Sequence, residues 1–213
     1  IVWNSDQTLA LADIAPGGSG YVDFNFSALP GGTGVGGDIV VTVSVTGTPL
    51  DSVNSVTSLS ALDRKIFRLG AQVDLDAVGY YSSGPLKNKG TNPPVAGSTT
   101  TYTVGWVLSN TTNPVDNGVV KGILPRNVEW ASEFSPTDEV VTYNSSSREV
   151  TWRVGTLKKN PSDTVRRQVF FKVNLTPTTT DIGSVPTLLT QSTFTGTDSY
   201  TTSNVRITRD PVT

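Results

Sequence analysis

The sequence predicts an all-β sandwich, and three observations carry that expectation. Apolar and polar residues alternate with a period of two in stretch after stretch, the pattern of strands with one buried and one solvated face. Clusters of Gly, Pro, Asn, Asp and Ser punctuate those stretches at short intervals, where turns need positive φ or local side-chain hydrogen bonds. No segment sustains the apolar period of 3.6 residues that a packed helix requires.

Taken in order, the first alternating stretch is Val22, Phe24 and Phe26, which follows Trp3, Leu9, Leu11 and the turn Pro16-Gly17-Gly18. Ile39, Val41, Val43 and Val45 then share one face against Thr42 and Ser44. In the second half Tyr102, Val104, Trp106 and Leu108 lie on one face of a strand. Val150, Trp152 and Val154 repeat the alternation with Thr151 and Arg153 outward. Val169, Phe171, Val173 and Leu175 close the series against Gln168, Lys172 and Asn174. Eight or more short strands divided in this way form a sandwich. Thr on the outward positions suits a solvated sheet face, being β-branched and polar.

An internal repeat sets the expected domain layout. The same interval separates Trp3 from Trp152 and Thr46-Gly47-Thr48 from Thr195-Gly196-Thr197, in matching order. Residues 1–62 therefore read as the back half of a sandwich module, 63–70 as a linker and 71–213 as a complete module. A half-sandwich leaves an apolar face and an unpaired edge in water. Its missing strands are expected from a longer parent chain or from another copy in a homo-polymer. A chain that opens Ile1-Val2-Trp3 and holds no Met is expected to be a processed product or a piece of a longer one.

Composition excludes several function classes. The 213 residues contain no His and no Cys. Ser-His-Asp and Cys-His catalysis, imidazole or thiolate metal sites and disulfides are thereby ruled out. The formal net charge of −2 and the single short basic stretch, Lys158-Lys159 with Arg166-Arg167, do not make a nucleic-acid footprint. No apolar run reaches the length that crosses a bilayer.

The stretch Thr99 to Asn110, the turn Asn113 to Gly118, Val119 to Pro125, Val128-Glu129-Trp130, Arg148 to Leu157 and Arg167 to Thr176 together resemble the Ig-like conserved-repeat domain of prokaryotic cell-surface proteins. Tyr80-Tyr81 with Gly84-Pro85, and the turn Asn92-Pro93-Pro94, also resemble multi-module surface proteins of small-genome environmental bacteria. The resemblance covers 99–176 well and 1–28 loosely. It implies tandem immunoglobulin-like β-sandwich modules, the first incomplete at its N-terminus. It further implies an exported, extracellular, non-catalytic module of a bacterial cell-envelope protein, serving as stalk, adhesive, surface-layer or fibre component. The family has no catalytic residues to carry over, and the truncated first module is where this chain departs from it.

Candidate sites follow from residue chemistry. Asp116, Asp138 and Asp198 sit in or beside turns, where their oxygens could hold Ca²⁺, although turn chemistry alone also accounts for them. Asp74 and Asp76 share one strand face, which reads first as a polar exterior. Lys121 and Asn204 are the one pair for an intramolecular isopeptide cross-link. Asn25, Asn110, Asn144 and Asn174 match the N-glycosylation pattern. Trp106 and Trp152 share faces with aliphatic residues and read as core. Trp130 reads as the exposed aromatic on which a surface glycan could stack. A carbohydrate-binding accessory module using such aromatics and calcium is the alternative to the structural reading. A carboxylate-pair glycosidase finds no constellation of residues.

Overall fold

The computed structural model describes residues 1–27, 38–49, 58–160 and 166–213. The chain divides into two compact units, Ile1–Gly32 and Thr33–Thr213. The described residues form antiparallel strands and two short 3₁₀ turns, with no α-helix among them.

In the first unit the described residues contain one 3₁₀ turn, Leu9–Leu11, and no strand. The alternation at Val22, Phe24 and Phe26 thus does not produce the expected strand. Period two is a strand's pattern, but a strand also needs a neighbour for its N–H and C=O groups. The aromatics pack among themselves instead, with Trp3 and Phe24 at 5.7 Å between ring centroids and Phe24 and Phe26 at 6.0 Å.

The second unit begins with a two-stranded antiparallel ribbon, β1 (Asp38–Gly47) and β2 (Leu59–Arg68). Residues 63–68, expected as part of a linker, are the second half of β2. The strand read from Ile39, Val41, Val43 and Val45 forms, yet most of it stays exposed, Val45 by 61%. A two-stranded ribbon has no second layer to bury its apolar face.

Residues Val73 to Arg209 supply that second layer for themselves. One sheet has the order β3-β4-β9-β6, from Val73–Tyr80, Thr100–Asn110, Arg167–Leu175 and Val128–Ser135. The other has the order β11-β10-β5-β8-β7, from Asn204–Arg209, Ser192–Asp198, Val115–Ile123, Glu149–Leu157 and Val140–Asn144. All pairings are antiparallel.

The core lies between these sheets and uses the faces the alternation assigned. Val104, Trp106, Leu108, Val169, Phe171, Val173 and Leu175 come from one sheet and Val120, Val150, Trp152 and Phe194 from the other, all fully buried. Each such side chain contributes about 1.5–3 kcal/mol by leaving water, a gain the ribbon's exposed valines do not make. The Trp106 ring meets Phe171 edge-on at 4.9 Å, and its Nε1 donates to Ser192 Oγ at 2.9 Å in the facing sheet.

Side chains lace both open sides of the sandwich. On one side Arg209 of β11 donates to the Leu75 carbonyl and pairs with Asp74 of β3. On the other, Glu139 accepts from Trp152 Nε1 at 2.8 Å and, bidentately, from Arg167 at 2.6 and 2.9 Å. Burial pushes the Glu139 carboxyl up, but hydrogen bonds from Arg167 and Trp152 outweigh it and hold the group below the ordinary glutamate range.

Candidate functional site

The densest polar construction among the described residues lies where the β1–β2 ribbon runs into the sandwich. Leu69-Gly70-Ala71-Gln72 connects β2 to β3 and carries backbone polar groups that no strand pairs. Two turns at the same end of the sandwich satisfy them. Thr112 Oγ donates to the Gly70 carbonyl at 3.2 Å and accepts from Gln72 N–H at 2.6 Å. Asn113 Nδ2 donates to the Leu69 carbonyl at 2.7 Å. Thr111 N–H donates to the Gln72 carbonyl at 3.1 Å.

Asp198 is the centre of this joint. It ends β10 and is fully buried, and both its oxygens are engaged. Oδ2 accepts from Ala71 N–H at 2.5 Å and from Asn113 Nδ2 at 3.0 Å. Oδ1 accepts from Tyr200 N–H at 2.8 Å and Thr201 N–H at 3.0 Å, closing the β10–β11 turn. Burial pushes its pKa up, but the hydrogen bonds from Asn113, Thr201 and Tyr200 outweigh that and bring it to about 2. Four N–H groups aimed at one carboxylate favour its ionised form, so the charge is solvated by the fold.

Tyr200, next along the turn, reaches the base of the ribbon. Its hydroxyl donates to Asp38 Oδ1 at 2.5 Å, and the Arg68 guanidinium lies 5.4 Å from its ring centroid. Asp38 and Arg68 face each other at the ribbon's foot. The β10–β11 hairpin therefore grips the ribbon's foot with Tyr200 and the connector with Asp198.

The residues singled out from sequence fall in different places. Asp116 faces Thr197 on the neighbouring strand and accepts from Thr156 Oγ at 2.8 Å. Asp138 is exposed in the β6–β7 turn, beside the strand three places from β10 in the sheet, about 14 Å away at ~4.8 Å per strand. Asp116, Asp138 and Asp198 therefore do not converge as a Ca²⁺ site, and no group of three or more potential ligands occurs among the described residues. Asp198 in particular presents its oxygens to N–H donors, which a cation would have to displace.

Lys121 and Asn204, the isopeptide candidates, likewise lie apart. Lys121 faces Thr193, and Thr193 faces Thr208 on β11, four residues along from Asn204. That offset is about 13 Å at ~3.3 Å per residue, with β10 lying between. Lys121 is exposed and its Nζ donates to Glu149 Oε1 at 2.9 Å. This hydrogen bond also holds the Glu149 carboxyl below its ordinary range.

Trp130, expected to be exposed, is half-buried where β6 meets β7. Its ring stacks on Tyr143 at 5.8 Å and 16°, with Phe171 at 5.4 Å. Tyr143 thus covers one face of the ring, which a stacked sugar could not use. Asp74 and Asp76 pair with Arg209 and Arg166 and do not form a carboxylate dyad. Sequence reasoning missed Tyr200 and Asn113, whose partners are distant in the chain, and read Glu139 beside Asp138 as a turn oxygen ligand where it is held by Trp152 and Arg167.

No protein-family model matches the chain, and no curated protein matches it. Among solved structures it is similar to the full-length major pilin SpaD from Corynebacterium diphtheriae, at 8% identity and TM-score 0.37, over 90% of this chain and 63% of that one. It is similar to BcpA, the major pilin subunit of Bacillus cereus, at 11% identity and TM-score 0.37, over 84% and 64%. The mu homology domain of Danio rerio Fcho1, solved with a bound Eps15 peptide, is similar at 11% identity and TM-score 0.35, over 73% and 50%. The chain spans between half and two thirds of the length of each of these three.

Proposed function

We propose that this chain is a non-catalytic structural and adhesive module of a bacterial cell-envelope protein, placed outside the cell, that transmits load along a stalk or fibre. The observation that carries the reading is the joint at Asp198. A stalk needs each element fixed to the next, and here the turn Asp198 to Thr201 holds both the connector to β3 and the foot of the ribbon. Buried polar effort goes into fastening the chain. Glu139, Glu149, Asp74 and Asp76 are paired with Arg167, Lys121, Arg209 and Arg166, and Asp198 is held by backbone N–H groups and Asn113, arrangements that fix geometry. The Ig-like surface-protein resemblance over 99–176 points in the same direction.

The test is accessibility on intact source cells. Antibodies raised against the Thr33–Thr213 unit are expected to label unpermeabilised cells, and mild protease shaving is expected to release fragments containing it. Labelling only after lysis would overturn the reading.

A further inference from the structure

We infer that β1 is a homophilic pairing edge, and that two copies of this chain join through it, antiparallel, into a four-stranded β2-β1-β1-β2 sheet. The inference rests on the envelope-fibre reading above and names the partner as a second copy. Among the described residues β2 is the only neighbour of β1. Among those residues its other edge pairs with no strand over Asp38–Gly47, which makes it a template for another strand.

The two edges of the ribbon are unequally protected. β2 carries Asp63, Arg64, Lys65 and Arg68, the kind of charge that blocks edge pairing. β1 carries one charge, Asp38 at its end, already held by Tyr200. The rest of β1 is Ile, Val, Thr, Ser and a terminal Gly, with neither Lys nor Pro.

Symmetry selects between these edges. Two identical strands related by a two-fold axis normal to the sheet place one residue opposite its own mate. On β2 the registers centred on Asp63, Arg64 and Lys65 each put like charges face to face, which costs stability, and the one centred on Leu62 sets Asp63 opposite Ala61 and Lys65 opposite Leu59, charge against apolar side chain. On β1 the axis through Thr42 sets Thr42 against Thr42, with Val41 opposite Val43, Ile39 opposite Val45, and Val40 opposite Ser44. Ile39, Val41, Val43 and Val45 of the two β1 strands then form one apolar stripe across the junction, flanked on the same side of the sheet by Phe67, Lys65, Asp63 and Ala61 of β2.

The chain's lack of cysteine makes the register directly testable. At the axis the Cα atoms of the two Thr42 residues would lie about 4.5–5.5 Å apart, within disulfide reach. Thr42→Cys is expected to give a disulfide dimer on mild oxidation. Ser44→Cys, whose mate would lie four residues away, and Arg64→Cys are expected to remain uncross-linked. By sedimentation the parent chain should show a concentration-dependent dimer that Val43→Lys weakens by about tenfold or more and Leu62→Lys leaves unchanged. Val43 and Leu62 are exposed, so circular dichroism should show the fold retained in both variants. A single monomeric species at every concentration, or equal cross-linking at residues 42 and 64, would overturn the inference. Cell-surface labelling is read independently, so failure of the dimer does not count against surface placement.

Discussion

Asp198 accepts a hydrogen bond from the backbone N–H of Ala71 at 2.5 Å, across 127 residues of chain. The contact joins the last hairpin of the sandwich to the segment through which the ribbon enters it. The same carboxylate also takes the side-chain amide of Asn113 from the β4–β5 turn. Three parts of the chain thus share one buried negative charge, and removing it leaves three sets of N–H donors without an acceptor.

Stability should fall in acid because of this group. Its folded pKa of about 2 lies below the ordinary value of 3.8. Its contribution is therefore fully present above pH 4 and is lost as pH falls through 2. The shift is worth about 2 kcal/mol. Asp198→Asn, which turns an amide N–H toward existing donors, should cost about 2–4 kcal/mol at pH 7. It should also flatten the stability profile between pH 4 and 2, as read by urea denaturation at each pH.

Tyr200→Phe should loosen the ribbon without unfolding the sandwich. It deletes the donor to Asp38 and keeps the ring under Arg68. Amide hydrogen exchange is expected to speed up at the foot of β1 and β2 and to stay unchanged in β4, β8 and β9. In the parent protein the hydrogen bond to Asp38 raises the Tyr200 pKa, because it holds the hydroxyl proton. Deprotonation above that pKa should reproduce the loosening seen in Tyr200→Phe.

The sandwich was legible in the sequence because one physical requirement wrote it there. A strand between a core and solvent must alternate, and Trp106, Trp152 and Phe171 lie fully buried on the faces so assigned. Alternation did not suffice at Val22, Phe24 and Phe26, where no partner strand exists among the described residues. Asp198 was legible as a turn residue with something to bind. Its partners were not, since Ala71 and Asn113 are brought to it by the fold from far along the chain. Trp130 carried a readable signal that its neighbours Glu129 and Ala131 obscured: it lies two residues after the fully buried Val128, on the same face.

Trp130→Ala should act on stability. The ring fills the space between Tyr143 and Phe171 at the side of the sandwich, and its loss should cost about 2–4 kcal/mol by thermal or urea unfolding. Titration of the parent protein with soluble glycans should leave the tryptophan emission unchanged. A saturable change abolished by Trp130→Ala would favour the carbohydrate-binding alternative.

The intact mass should equal the sum of the residues, with no ammonia or water lost. Lys121 is held by Glu149, and the strand register places Asn204 far from it. Lys121→Ala should therefore leave the mass balance unaltered and, as an exposed pair is worth about 0–1 kcal/mol, shift the unfolding midpoint little.

The two Thr-Gly-Thr segments, identical in sequence, should respond oppositely to the same substitution. A Cβ on Gly196 would lie 2.5 Å from Val115 Cγ1 and 3.1 Å from the Asp116 carbonyl. Val115 is fully buried and cannot swing away. The strand pairing also shifts register beside this glycine, between Thr195 and Thr197, so the close approach belongs to a bulge that aims Asp198 inward. Gly196→Ala should cost about 1–3 kcal/mol by overpacking and should weaken the acid-sensitive contribution of Asp198 along with it. A Cβ on Gly47 meets nothing within 4 Å. Gly47→Ala should thus be neutral or stabilising by up to about 1 kcal/mol through reduced chain freedom in the unfolded state. Equal effects at the two positions, measured by urea unfolding with the pH profile repeated for each, would show that Gly196 is not held by its contact with Val115.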